Sequence, residues 1–258
     1  LACETACPSG VPYGSMLEQT RNAVTKAGLH QGGSVFIEKF LLRSIVPRQR
    51  RLRFLVSLLG WVQRLGLDRM MLPLLPKSLR RAHSLMPEVP SPRERLPLPE
   101  FVAAQGERRG RVALFTGCIM SEIFGQIHRD TLSVLSHNGF DVVVPSNQIC
   151  CGALQAHAGD LEFAHGLAEH NADLFSEMEI DALVVNSAGC GSAMRQAGEW
   201  LGERGDMYAS RVRDVSEFLD EVGLRPPTVS VKTRVCYDDP CHLVHGQGVS
   251  EAPRALLR

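Results

Sequence analysis

Cys150 and Cys151 stand side by side, and Gly152 follows them. A single ion seldom accepts two consecutive residues as ligands, so a thiol doublet of this kind points to a cluster with several metal atoms. Cys118 lies 32 positions before Cys150, and Cys190 lies 39 positions after Cys151. Together Cys118, Cys150, Cys151 and Cys190 read as one four-thiolate site. Structural zinc usually takes closely spaced C-x2-4-C pairs, and neither half of this set contains one. Iron–sulfur ligation is therefore favoured over zinc, with a redox-active vicinal disulfide at Cys150–Cys151 as a third reading.

A second thiol motif opens the chain. Cys3-Glu4-Thr5-Ala6-Cys7-Pro8 matches the last half of the ferredoxin run C-x2-C-x2-C-x3-C-P, whose fourth cysteine ligates the other cluster of a pair. On that match Cys3 is the third ligand of one cluster and Cys7 serves its partner; the competing reading is two incidental thiols. The chain begins at Leu1 rather than methionine and ends in a helix-like Ala255-Leu256-Leu257-Arg258, so it reads as a fragment cut at both ends. His157, His165, His170, His242 and His245 could be ligands or proton carriers, but each reads more simply as a surface or satisfied histidine. Asp238 and Asp239 are expected to cap the helix that follows them.

The composition is that of an ordinary globular chain. Its 258 residues are 44% apolar and 22% charged, with a formal net charge of zero, which suits about two domains. No basic stripe interleaved with aromatics appears, and nucleic acid is not an expected partner. No apolar run approaches membrane-spanning length, and no secretory leader is visible. Eight cysteines in such a chain argue for metal or redox chemistry in a reducing compartment rather than for a disulfide framework.

The elements that must position the thiols follow from periodicity. Residues 13–81 are helical in pattern; within them Arg48, Arg50, Arg51 and Arg53 precede Phe54, Leu55, Leu58, Leu59 and Trp61. This stretch reads either as a contact with a membrane surface or partner subunit or, more simply, as a solvated helix end beside a buried apolar face. Residues 86–110 are rich in proline and charge and read as a linker. Strands are expected at 111–117, 141–144 and 181–185, with helices at 121–137, 161–178 and 214–222, giving an α/β domain with a mostly parallel sheet. The four thiols then fall just past strand carboxyl ends, where open α/β sheets form their binding crevice. A further strand over 229–237, holding Cys236 as a buried structural thiol, would place Cys241 where Cys118 stands in the first unit, opening a second copy. The domain plan is thus 1–85, the end of a ferredoxin-type domain plus a helical segment; 86–110, linker; 111–228, the first cysteine-rich α/β domain; and 229–258, the start of the second.

Cys118, Cys150-Cys151-Gly152 and Cys190, with Asp239-Pro240-Cys241-His242-Leu243 opening a second copy, resemble the cysteine-rich CCG domain of heterodisulfide reductases and their relatives. Among those relatives the pattern is most similar to the iron–sulfur subunits of glycolate oxidase. The resemblance implies Cys3 and Cys7 as ferredoxin-type ligands, and Cys118, Cys150, Cys151, Cys190 and Cys241 as CCG-type ligands of iron–sulfur clusters, with 4Fe-4S the simplest kind. It implies an electron-carrying subunit that takes electrons from a flavin-containing subunit oxidising glycolate to glyoxylate and passes them toward quinone. The implied location is the cytoplasm, with peripheral contact at the inner face of the membrane. Iron–sulfur subunits of lactate-utilisation and anaerobic glycerol-3-phosphate dehydrogenase complexes share the plan, and a heterodisulfide-reductase-like thiol–disulfide reductase is a further alternative. The fuller family pattern ends in C-x2-C; here the position three after Cys190 is Ala193, which points to four thiolates rather than five.

Overall fold

The computed structural model describes residues 1–29, 32–227, 229 and 232–258. A helical layer comes first: α1 (Ala2–Thr5), α2 (Tyr13–Lys26), α3 (Gly33–Phe40), α4 (Gln49–Arg64), α5 (Leu67–Met71) and α6 (Lys77–Ser84). Between α3 and α4 the chain makes one wide turn over Leu41–Ile45, closed by the Val46 N–H donating to Leu41 O at 3.0 Å, the π-type pattern that recurs at functional sites.

The α/β part is built on β1 (Phe101–Val102), β2 (Gly110–Phe115), β3 (Phe140–Val143), β4 (Ala182–Val185) and β5 (Val212–Asp214), in the sheet order β1-β3-β2-β4-β5. Only the β1–β3 edge is antiparallel. In register, Val112 of β2 faces Val142 on one side and Ala182 on the other. The helices are α7 (Ile119–Ile123), α8 (Gly125–His137), α9 (Ala153–His157), α10 (Leu161–Ser176), α11 (Ala188–Arg195), α12 (Ala197–Leu201), α13 (Glu203–Arg211), α14 (Val215–Val222), α15 (Cys241–Gln247) and α16 (Glu251–Leu256).

Side chains alternate across a strand, and here both faces of the sheet are covered. Val112, Leu114 and Val184 pack against Leu132 and Leu135 of α8 and Phe218 of α14. Ala113, Phe115, Leu183 and Val185 pack on the opposite side against Phe175 of α10 and Tyr208 of α13. This is why β2 and β4 read as unbroken apolar runs rather than alternating ones. Phe115 and Phe175 meet edge to face at 6.3 Å, and burying each contributes about 2–3 kcal/mol. The helix after β2 lies on one face and the helices after β3 and β4 on the other. That reversal makes the carboxyl ends of β2 and β4 the topological switch point, where doubly wound sheets place their ligands.

Several sequence expectations change. The stretch 86–110 is packed: it holds β1, and Val89 and Arg95 are buried. The helix expected over 121–137 is two helices, broken at Phe124, and the three-residue β5 was not anticipated. The described residues of the expected strand over 229–237 form none. Residues 230 and 231 lie outside the described residues, 232–240 are irregular, and Val235 and Cys236 are exposed. The stretch has no strand partner among the described residues, so its backbone has no ladder to join and Cys236 has no core to enter. Asp239 does not cap α15: Pro240 holds that position, and Asp239 pairs instead with Arg254. On α4, Leu52 and Gly60 are buried while Phe54, Leu55, Leu58 and Trp61 are exposed, so its outward face is apolar.

Candidate metal centre

Cys118 ends the β2 loop, Cys150 and Cys151 end the β3 loop, and Cys190 lies in the first turn of α11 after β4. Folding brings these four together at the switch point. Cys118, Cys150 and Cys151 are buried and Cys190 is half-buried. Gly117 has φ +66°, and a side chain there would stand 3.7 Å from the Cys190 sulfur, so the β2 loop passes close beneath α11. Gly152 has φ +91° and packs on the α10 backbone, where a Cβ would come within 2.9 Å of Ala164 O. Only glycine adopts that conformation at no cost in so tight a space.

The thiols perturb one another. The Cys150 thiol is pulled down to about 3, first by hydrogen bonding with Cys118 and then with Cys151, and the Gly152 N–H adds to this. Cys190 is lowered by Cys151 and by Ser187. Cys118 is pushed up by Cys150 and by burial, and Cys151 by Cys150 and Cys190. Four thiols so close cannot all ionise without a compensating cation, because like charges in a buried site oppose each other's ionisation. The sulfurs neighbour one another in sequence, from Cys118 through Cys150 and Cys151 to Cys190. Among the described residues, no three His, Cys, Asp or Glu side chains gather where one ion could be held.

Buried polar side chains hold the loops in place. Asn171 of α10 is fully buried. It accepts from Ile149 N–H at 3.1 Å and donates to Ile149 O at 3.3 Å and to Cys150 O at 3.1 Å. Gln148 accepts from Thr116 N–H at 2.8 Å and donates to Pro145 O at 3.0 Å, tying the β3 loop to the end of β2. Gln155 donates to Leu42 O at 2.8 Å and sets its Oε1 3.7 Å from the Cys150 sulfur, so the wide turn after α3 is held to the doublet. His128 of α8 is fully buried. Its Nε2–H donates to Thr116 O at 2.9 Å, and Nδ1 accepts from Asn186 at 3.1 Å. Burial pushes its pKa down, so it is held as the neutral imidazole. Tyr208 is 3% exposed, and its hydroxyl has no hydrogen-bond partner among the described residues. Burial raises its pKa, and Cys151 and Cys190 add to the rise, which marks a phenol next to the thiols.

The helical layer closes the other side. Ile45, Val46 and Leu52 pack with Cys118, Cys150 and Leu167 in one apolar cluster. An ion triad centred on a buried carboxylate holds this layer to the sheet. Glu122 of α7, fully buried, accepts from Arg53 Nε at 3.0 Å and from Arg95 Nη2 at 2.7 Å. Arg43 makes a bidentate pair with Asp160.

The remaining expected ligands lie elsewhere. Cys7 is half-buried, and the N–H groups of Val11, Ser9 and Gly10 converge on its sulfur and lower its pKa. Cys3 is exposed and opens into a cavity of about 360 Å³ whose wall includes Ala193, His157, Trp200 and His242. Cys241 is exposed, not joined to the four; the Leu1 nitrogen stands 3.4 Å from its sulfur. His157 pairs with Glu18, His170 with Asn147 O, and His245 with Thr5, while His165 stacks on Trp200. Gly191 of α11 packs against the Gln247 side chain. The sequence reading missed Asn171, Gln155, His128, Tyr208 and Glu122. Their only trace in the sequence is a polar residue at a core-facing helical position.

Residues 112–195 match the cysteine-rich domain family, CCG, and residues 34–86 match the linker region of the glycolate oxidase iron–sulfur subunit. The chain is 34% identical over 271 aligned positions to the probable glycolate oxidase iron–sulfur subunit of Bacillus subtilis (strain 168), covering 100% of this chain and 61% of that protein. It is 28% identical to the glycolate oxidase iron–sulfur subunit of Escherichia coli (strain K12), covering 99% of this chain and 60% of that one. One subunit of the fumarate reductase (CoM/CoB) of Methanothermobacter marburgensis is 34% identical over 61% of this chain and 31% of its own length. No solved structure matches. The chain thus spans about three fifths of the glycolate oxidase relatives. The cysteine doublet at the switch point lies inside one family match and the helical layer that closes it inside the other: residues 112–195 form a CCG cysteine-rich domain, and the chain is similar along its whole length to glycolate oxidase iron–sulfur subunits.

Proposed function

We propose that this chain is an iron–sulfur electron-transfer subunit of a glycolate-oxidising complex. Cys118, Cys150, Cys151 and Cys190 are the ligands of one cluster, of the 4Fe-4S kind, and Cys3, Cys7 and Cys241 serve neighbouring clusters. The observation that carries the reading is the gathering of four mutually perturbed thiols at the switch point, with no lysine or arginine of the described residues among the groups that shift them. Such a set is neutralised by a cationic group that takes thiolate ligands, and a doublet beside two distant thiols suits a polynuclear group better than one ion. The orphaned Tyr208 hydroxyl fits as a donor to a cluster sulfur.

When bound, such a cluster supplies one-electron transfer. The chain's own residues supply the setting. Asn171, Gln148 and Gln155 fix the thiol loops, His128 holds the β2 end without adding charge, and Ile45, Val46 and Leu52 keep water from Cys118 and Cys150. A flavin-containing partner would deliver electrons, and quinone would receive them. No helix of the described residues is long and apolar enough to cross a membrane. The exposed Phe54, Leu58 and Trp61 of α4 would give a peripheral contact at the inner membrane face.

The test is reconstitution. The full-length protein, purified without oxygen and combined with its genomic-neighbour flavoprotein, should reduce a water-soluble quinone with glycolate and not with lactate. Reduction driven by lactate alone would redirect the assignment to lactate utilisation.

A further inference from the structure

One sizeable cavity of the described residues lies apart from the thiols. It measures about 670 Å³ and opens between the amino end of α4 and the loop after β3, a volume typical of small-molecule sites. Its floor is the redox loop itself, since Thr116, Gln148 and Ile149 line it. Its walls carry five arginines, Arg48, Arg50, Arg51, Arg53 and Arg129, against one carboxylate, Glu100.

Those arginines are short of counter-charge. Arg53 is spoken for by Glu122 at 3.0 Å. Arg48 donates to Arg43 O and Ser44 O at 3.0 and 3.2 Å, and Arg51 to Ser44 O at 3.1 Å. Arg129 donates to Leu96 O at 2.7 Å and Gly125 O at 3.2 Å. Carbonyl acceptors orient a guanidinium and leave its charge uncompensated. Arg50 makes no hydrogen bond or ion pair with a described residue and is exposed. The first turn of α4 adds to the imbalance, having neither an acidic residue nor a side-chain cap. Arginine at that end opposes the helix dipole unless an anion lies beside it. Between the arginines the lining is apolar, with Pro47, Leu96, Leu98 and Pro145.

We infer that this cleft is a binding site for a small polyanion with clustered phosphate or carboxylate oxygens, separate from the thiol site and resting on its loop. Guanidinium groups grip such oxygens in pairs, and a concave site lined by one sign of charge concentrates its ligand. A flat acidic protein surface would use the rim and leave the cavity unfilled.

Calorimetric titration of the full-length protein with pyrophosphate, and separately with citrate, tests the inference. Saturable one-to-one binding of at least one of them is expected, weakened roughly ten-fold by Arg50→Gln and again by Arg51→Gln, each the loss of about one charge-assisted hydrogen bond. Arg50 has no intramolecular partner among the described residues, so its substitution leaves the fold alone. Arg204→Gln, on α13, should bind as the unaltered protein does. Absence of binding to both probes overturns the inference, as does equal binding by all variants. If neither probe binds but the Arg50 and Arg51 variants lose sedimentation with phosphatidylglycerol vesicles, the arginines belong to a lipid contact and the small-ligand site is refuted.

Discussion

Replacing Asn171 with alanine isolates the link between fold and chemistry, because this side chain touches no sulfur and yet holds the backbone of the doublet. Its carboxamide makes three hydrogen bonds to Ile149 and Cys150, at 3.1, 3.3 and 3.1 Å. Each such bond contributes about 1 kcal/mol net, so the fold should lose about 3 kcal/mol, a large part of a typical domain's roughly 5–15 kcal/mol. The half-buried Ile149 N–H and the buried Cys150 C=O would be left seeking partners, and the loop would shift to find them. Asn171→Asp keeps the volume and the acceptor for Ile149 N–H but turns an oxygen toward two carbonyls, so it should do no better. The assay is urea unfolding followed by circular dichroism on cluster-free protein, paired with iron content after anaerobic purification. The expected result is a lower unfolding midpoint together with reduced iron. Unchanged midpoint and full iron in both variants would refute the claim that Asn171 sets the doublet's geometry.

Other perturbations follow from the same contacts. Glu122→Ala leaves Arg95, 8% exposed, as an unpaired buried charge and should cost about 3–5 kcal/mol, read as a lower thermal midpoint; replacing Glu122 and Arg95 together by methionine and leucine should recover most of it. Burial lowers the folded-state pKa of His128 from 6.5, so the unfolded chain takes up this proton first. Its contribution to stability is therefore full above about pH 6.5 and falls away as pH drops toward the lower folded pKa. Stability measured by urea between about pH 7.5 and 5 should fall less steeply in His128→Gln than in the unaltered protein. Tyr208→Phe removes only an orphaned hydroxyl; with a cluster bound, losing a donor to its sulfur should lower the reduction potential by roughly tens of millivolts, measured by redox titration, and stability should stay the same or rise.

The parts legible in the sequence are those fixed by a local pattern. β2 and β4 are buried on both faces, so their apolar runs announce them, and the doublet with its glycine stands out because adjacent ligands are rare. β1 was hidden in a proline-rich stretch, since two residues pairing with Val142 and Val143 leave no periodic mark. The described part of the strand expected at 229–237 is irregular for the opposite reason: an apolar run makes a strand only beside a partner. Asn171, Gln155 and Tyr208 were illegible because nothing separates a buried amide or phenol on a helix from an exposed one until the chain folds. The outward apolar face of α4 was legible only as one of two readings, because its periodicity fits a buried face equally well.

The most direct measurement is iron and acid-labile sulfide in full-length protein purified without oxygen, with low-temperature paramagnetic resonance after reduction, on the unaltered chain and on Cys118→Ser, Cys150→Ser, Cys151→Ser, Cys190→Ser and Cys236→Ser. The account expects iron and sulfide in equal amounts. Each of the first four substitutions should remove or alter one and the same signal, and Cys236→Ser should leave it intact. Zinc without sulfide, or a signal indifferent to all four substitutions, would contradict it.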